Sequence, residues 1–264
     1  MKFFKCPEGI PEDLCHLVPK RFDAIGDVAV VSIPSELEGY KIPVAEYISS
    51  KRGNIRAVLN KVTKLEGDHR VAGFELLLGD SSITTHVEFG FRYRMDLKDV
   101  FFNGRLAFER ERVASMVREG EDVLVPFCGV GPFAIPAASK GAKVIALEKN
   151  PAACKWLAEN IRLNHVEDNI DPILADASFI GNLLNSKFDR VIIPTPYGMD
   201  NFLECVLPFV KHGGNLHFYT FKTREDFEGV IDHCSEMGLE VTGYRRCGNV
   251  APGISRWVLD MLKL

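Results

Sequence analysis

From Asp122 to the C-terminus, short apolar runs alternate with segments of helical period, and this alternation constrains the fold more than any other feature of the chain. Strands are expected at 122–127, 143–148, 170–174, 188–193, 214–221, 238–246 and 255–262. Helices fit at 132–140, 151–164, 177–185, 199–211 and 223–236. Alternation of this kind builds a parallel sheet covered by helices on both faces. The last two strands leave no room for a helix between them, so one of them is expected to run antiparallel.

Upstream the pattern differs. Asp27 to Ile33 is a short apolar strand closed by Pro34, and 40–50 suits a helix. Segments 55–65, 74–78 and 83–91 read as strands, with turns at 66–70 and 79–80. Residues 20–97 thus look like a small α+β unit rich in antiparallel pairs. Leu106, Glu109, Arg110, Val113, Met116 and Val117 then recur at helical spacing until Gly120. The expected class is α/β: a doubly wound sheet over 98–264, preceded by a small α+β domain over 1–97.

Composition excludes several classes. The 264 residues, 46% hydrophobic, can bury a large core without disulfides or metal. No apolar run reaches the roughly 18 residues of a membrane span. Met1 to Lys5 begins like a leader, but Cys6-Pro7-Glu8-Gly9 cuts off any apolar core, so none is expected. The seven cysteines are irregularly spaced with no C-x-x-C, which reads as reduced thiols in a cytoplasmic protein. No histidine pair has metal-ligand spacing, so no metal is expected. A net charge of -4 neither announces nor excludes a nucleic-acid partner.

The strongest local signal is Val123-Leu124-Val125-Pro126-Phe127-Cys128-Gly129-Val130-Gly131-Pro132-Phe133-Ala134. An apolar strand enters a Gly-rich turn, and Pro132 stands where a first helical turn would start. Glycines at 129 and 131 would let a ligand approach the backbone, and the helix start offers N–H groups. Glu148, followed by Lys149, ends the next strand, where a carboxylate can accept both hydroxyls of a ribose. Asp176-Ala177 follows the third strand, and Asp176 can bond an adenine amino group or simply cap a helix. The fourth strand ends in Pro194-Thr195-Pro196-Tyr197, a rigid, polar and aromatic loop. In a doubly wound sheet these ends converge on one crevice. Nicotinamide dinucleotide and S-adenosyl-methionine enzymes share this geometry, but no Tyr-x-x-x-Lys or hydride-site histidine supports the former. Ahead of the sheet, Arg105 and Glu109 lie at i,i+4 with Arg112 a turn on, a spacing that taken alone favours an exposed ion-pair ladder.

Taken together these segments resemble the tRNA (guanine-37, N1) methyltransferases of archaea and eukaryotes and the related wybutosine-synthesis aminocarboxypropyl transferases. Phe22 to Asp27, Lys61 to Arg70, Thr85 to Gly90, Phe101 to Arg110, Phe127 to Phe133, Asn150-Pro151, Glu159 to Asn164 and Gly213 to Tyr219 carry the resemblance. It implies S-adenosyl-methionine as cofactor and tRNA as partner, with no membrane and no obligate protein partner. Phe127, Gly129, Gly131 and Phe133 would line the cofactor site. Glu148, Lys149, Asp176, Ala177 and Pro194 would complete it. The resemblance also implies Glu109 as general base for the guanine proton and Arg70 as the charge that offsets the base oxygen. Arg105 and Arg110 would hold the helix and the nucleotide, and Thr195, Pro196 and Tyr197 would face the base.

The chain departs from the family's pattern in three places. Val125 stands where an Asp is usual, and Pro194-Thr195-Pro196 replaces Asn-Leu-Pro, which removes an amide able to read a base edge. The usual N-terminal module that grips the outer corner of tRNA is expected to be absent. Arg105 favours methyl transfer, because the aminocarboxypropyl branch has Gly-Asn there and Gly in the fourth-strand loop. That branch, or a relative with a changed substrate or only a binding role, stays as the alternative.

Overall fold

A computed structural model describes residues 6–66 and 71–264. It divides into two compact units, Met1–Gly104 and Arg105–Leu264. The division falls beyond the expected 97/98 boundary because the chain after the last strand of the first unit turns back on it. Leu97 N–H donates to the Ser82 carbonyl, and Asp99 and Val100 N–H donate to that of Asp96.

In the first unit β1 (Asp23–Ile25) and β2 (Val28–Val31) form a hairpin, and α1 (Lys41–Ser50) crosses over to β3 (Ala57–Glu66). The crossover makes β2 and β3 parallel, because an intervening helix provides the reach that a parallel return needs. β4 (Val71–Leu78) completes the sheet β1-β2-β3-β4. Val44, Ala45 and Ile48 of α1 pack with Leu37, Val31 and Val58 into its core. The expected strand at 83–91 is a hairpin of β5 (Ile83–Glu88) and β6 (Phe91–Asp96). Phe89 and Gly90, both at positive φ (48° and 90°), form its two-residue turn, the backbone that a tight hairpin demands. The pairs β1–β2, β3–β4 and β5–β6 are antiparallel, as the sequence pattern led one to expect, and β2–β3 alone among the described pairs of this unit is parallel. A disulfide joins Cys6 to Cys15, Cα to Cα 5.5 Å, which corrects the expectation of seven reduced thiols. The short helical turn Glu12–Leu17 brings the two together, while Cys128, Cys154, Cys205, Cys234 and Cys247 are free.

The second unit opens with α2 (Ala107–Ala114) and β7 (Asp122–Pro126), followed by α3 (Ala134–Ala138), β8 (Lys143–Glu148), α4 (Pro151–Leu163) and β9 (Ile170–Leu174). It continues with α5 (Ile180–Leu183), β10 (Phe188–Ile193), α6 (Phe202–Val206), β11 (Val210–Lys222), α7 (Arg224–Glu236), β12 (Leu239–Ala251) and β13 (Ile254–Lys263). The sheet order is β12-β13-β11-β10-β7-β8-β9. Strands β7 to β11 are mutually parallel, and β13 is antiparallel to both β11 and β12. Central strands are buried on both faces: Val123 to Val125 and Val191 to Ile193 are inaccessible. Helices α3, α5 and α6 are shorter than expected. β11 starts at Val210, four residues early, and its register against β10 slips between Phe188 and Arg190, where 211–214 take up the extra length. The chain leaves β7 toward β8 and β9, then returns to β10 on the other side of β7. This is the topological switch point at which ligands bind in such sheets.

Candidate active site

Beyond β7 the backbone reverses sharply. Phe127 takes φ +56°, uncommon for a bulky residue, and is held there by the Cys128 N–H bond to the Leu147 carbonyl and by its ring against Phe202, centroids 4.6 Å apart. The two glycines do different work. At Gly129 (φ +57°) a Cβ would meet nothing within 4 Å, so the backbone faces open space. At Gly131 (φ +95°) a Cβ would fall 2.7 Å from Leu157 and 2.8 Å from Ile135, so this residue serves packing rather than ligand approach. Asn160, wholly buried on α4, donates to the Val130 carbonyl at 3.1 Å and fixes the turn from behind.

Glu148 reaches across from β8. Its Oε2 accepts from Gly129 N–H and its Oε1 from Asn150 N–H, each at 2.8 Å. The carboxylate is thereby oriented toward the open face of the turn, with lone pairs left over. Asn150 caps α4 through Ala152 N–H, and Pro151 opens the helix, so Asn-Pro both ends β8 and starts α4. At the end of β9, Asp176 accepts from Ser178 N–H (2.9 Å) and pairs with Lys149 (2.9 Å). The Ser178 amide and then Lys149 hold its carboxyl below the usual range. Asp176 is thus a cap as well as a candidate ligand, and Ala177 beside it is buried. The open Gly129 backbone, the pre-oriented Glu148 and Asp176 at the next strand end fit an adenosyl group.

The loop after β10 turns on Pro194, with Thr195 N–H donating to the Ile193 carbonyl at 2.8 Å. The Thr195 hydroxyl donates to that same carbonyl at 3.2 Å and is buried, so it faces the protein rather than a base. Pro196, Tyr197, Gly198 (φ +83°) and Met199 make a second turn that leaves Tyr197 52% exposed. The Tyr197 ring meets Phe221 edge-on at 5.3 Å, and the Arg256 guanidinium lies 4.9 Å above Phe221.

Glu109 is 5% exposed, not a rung of a surface ladder. Arg112 Nε donates to both its oxygens (3.0 and 3.1 Å), Arg112 Nη2 to Oε1, and the Tyr219 hydroxyl to Oε1 at 3.0 Å. Arg245 Nη1 lies 3.6 Å from Oε2. Burial, followed by the charge of Glu109, pushes the Tyr219 phenol well above its ordinary value, which keeps it a donor. Tyr219 also packs on Phe133, centroids 5.3 Å apart, so one side chain joins the Gly-rich turn to the carboxylate. Arg110 is buried beside Glu109, and Arg105 is exposed ahead of α2. Arg70 lies outside the described residues.

Sequence reasoning gave no role to Asn160, Tyr219 or Arg245. Asn160 does carry a signal, an amide inside the apolar stripe of Ala153, Trp156, Leu157 and Ile161. Nothing in local spacing pairs residue 109 with 219 or 245, which only the sheet brings together.

Comparison with known proteins agrees with this geometry. Residues 84–241 match the TRM5/TYW2 methyltransferase domain, and residues 7–82 match the TYW2 N-terminal domain. The chain is 38% identical to the tRNA (guanine(37)-N(1))-methyltransferase Trm5b of Pyrococcus abyssi, over 92% of this chain and 74% of that one. The complex of aTrm5 with tRNALeu superposes with a TM-score of 0.87 at 30% identity, covering 96% of this chain and 75% of that one. TYW2 of P. horikoshii in complex with MeSAdo gives 0.79 at 31% identity, covering 96% and 94%. A doubly wound sheet preceded along the chain by a small α+β unit is shared with both branches, and the chain belongs to the TRM5/TYW2 methyltransferase family.

Proposed function

We propose that this chain transfers a methyl group from S-adenosyl-methionine to N1 of guanine-37 in the tRNA anticodon loop. The observation that carries the reading is Glu109, a buried carboxylate gripped by Arg112 and Tyr219 and linked through Tyr219 to the Gly-rich turn. Bound S-adenosyl-methionine supplies an electrophilic methyl group. Glu148 and Asp176 hold the adenosyl part, and the open face of Gly129 admits it.

The guanine N1 proton must leave as that nitrogen attacks. Glu109 accepts it, and general-base help of this kind is worth about 10²–10⁴-fold. Arg112 and Tyr219 keep the carboxylate aimed while it waits. Arg70 offsets the charge that builds on the base oxygen, as a preorganised cation can. Tyr197 stacks on the base, and Arg105 and Arg110 steady the nucleotide. The small N-terminal unit contributes to the RNA side. We infer a cytoplasmic location, in keeping with a tRNA substrate. No helix among the described residues is long and apolar enough to cross a membrane.

One observation favours a second reading, aminocarboxypropyl transfer: residues 7–82 match the TYW2 N-terminal domain. The same cofactor would then be attacked at another carbon. Incubation with total tRNA and S-adenosyl-methionine labelled separately in the methyl and carboxyl groups, followed by nucleoside mass spectrometry, decides. Methyl label in 1-methylguanosine supports the first reading, and carboxyl label in a tricyclic base supports the second. Tight cofactor binding with no transfer overturns both.

A further inference from the structure

Behind Glu109 a chain of buried polar groups crosses the sheet. Arg190 on β10 is 3% exposed, and Glu121 accepts from its Nε (2.8 Å) and Nη2 (3.1 Å). Arg190 Nη2 also donates to the Met116 carbonyl, and its Nη1 meets His217 Nε2 at 2.7 Å. His217 Nδ1 lies 2.6 Å from Asp260 Oδ1. Asp260 accepts from Arg112 Nη1 (2.7 Å) and Nη2 (3.1 Å). Arg112 then presents its remaining edge to Glu109.

The protons along this chain follow from chemistry. A guanidinium has donors only, so Nε2 of His217 must be the acceptor from Arg190 and the ring proton must sit on Nδ1. Nδ1–H donates to Asp260. Burial pushes the His217 imidazole below its ordinary value, in keeping with a neutral ring. Burial would raise the Asp260 carboxyl, but hydrogen bonds from His217 and Arg112 overcome it and hold it at about 2, an acceptor at neutral pH. Arg112 divides its guanidinium between two carboxylates. Asp260 fixes the plane of that guanidinium, and the plane fixes where the Glu109 oxygens point.

We propose that His217 and Asp260 are positioning residues for the base, acting through Arg112 to hold the Glu109 carboxylate in its reactive orientation, with His217 required as an Nδ1–H donor. The proposal rests on the reading of Glu109 as the base. His217 and Asp260 hydrogen-bond to Arg190, to Arg112 and to one another, and reach Glu109 through Arg112. A mispositioned base slows the chemical step while leaving binding intact.

The test is single-turnover transfer to a tRNA transcript at saturating cofactor, run on the full chain with tRNA and cofactor affinities and melting temperature measured in parallel. In Asp260→Asn an amide N–H₂ faces the Arg112 donors, and His217→Leu removes the ring donor. Each is expected to lower the transfer rate at least about tenfold while both affinities stay within about twofold. His217→Asn keeps an N–H near the Nδ1 position and loses only the acceptor for Arg190, so it is expected to recover most of the rate lost in His217→Leu. Equal losses in the Leu and Asn variants, tracking a fall in melting temperature, would assign the chain to fold stability alone and overturn the proposal. Glu109→Gln separates the two levels. If it is slowed while Asp260→Asn and His217→Leu run at the wild-type rate, positioning fails and the base stands. If Glu109→Gln itself runs at the wild-type rate, the base reading falls and the positioning role with it.

Discussion

The Tyr219 hydroxyl donates a 3.0 Å hydrogen bond to Glu109, on a helix 110 positions earlier in the chain. Both side chains are buried, so the phenol is one of the few donors that can satisfy Glu109 without water. Tyr219→Phe keeps the packing on Phe133 and removes only this bond. Hydrogen bonds to charged groups contribute about 1.5–3 kcal/mol, so the transfer rate should fall roughly tenfold or more with cofactor affinity unchanged. Stopped-time kinetics beside calorimetry check this, and an unaltered rate would detach Tyr219 from the base.

Glu148 accepts two backbone amides before any ligand arrives. Glu148→Ala should therefore both loosen the Gly129 turn and remove the ribose acceptor, lowering S-adenosyl-methionine affinity at least about tenfold. Glu148→Gln keeps one acceptor and should lose less. Calorimetric titration orders the three proteins, and equal affinities would remove the assignment.

The two glycines of the turn should fail differently. Both Ala variants carry about 1–2 kcal/mol of left-handed strain. Gly131→Ala adds a clash with Leu157 and Ile135, so its melting temperature should fall further than that of Gly129→Ala. Gly129→Ala, whose methyl would project into open space, should instead lose more cofactor affinity. Thermal melts and titration of both variants test the pairing.

Tyr197 is half exposed and Thr195 is buried against its own strand. Tyr197→Ala should weaken tRNA binding, since stacking on a base is worth about 1–3 kcal/mol, and leave the melting temperature alone. Thr195→Ala should cost far less activity. Pro194→Asn should be tolerated, or improve activity on a guanine-37 transcript. Transfer assays, filter binding, cofactor titration and melts check the set, and a Tyr197→Ala that weakens only cofactor binding would end the stacking role.

Stability should fall in two steps on acidification. His217 has a lowered folded-state pKa, so the unfolded chain takes up its proton first and stability drops as pH falls below about 6.5. Asp260, held at about 2 against 3.8 unfolded, contributes about 2 kcal/mol that is present above pH 4 and lost as pH falls toward 2. Denaturant midpoints measured from pH 7 to 2 should show both, and His217→Asn should flatten the first step alone.

Local pattern suffices to lay out the second unit almost strand for strand. Buried parallel strands are continuous apolar runs bounded by glycine and proline, and 143–148, 170–174 and 188–193 match the observed β8, β9 and β10. It also marked the turn at 127–133 and the acids at 148 and 176, because a switch-point crevice is built from strand ends that are local in the chain. The single strand expected at 83–91 is a hairpin, since Phe89 had to adopt a left-handed backbone that its side chain does not advertise. The surroundings of Glu109 depend on long-range packing. Its spacing from Arg105 and Arg112 is equally that of an exposed ladder, and a helix face does not say what it packs on. Burial against β11 and β13 placed Tyr219 and Asp260 around it. Groups 110 and 148 residues away from Glu109 and Arg112 in sequence thereby became hydrogen-bond partners, which no local period encodes.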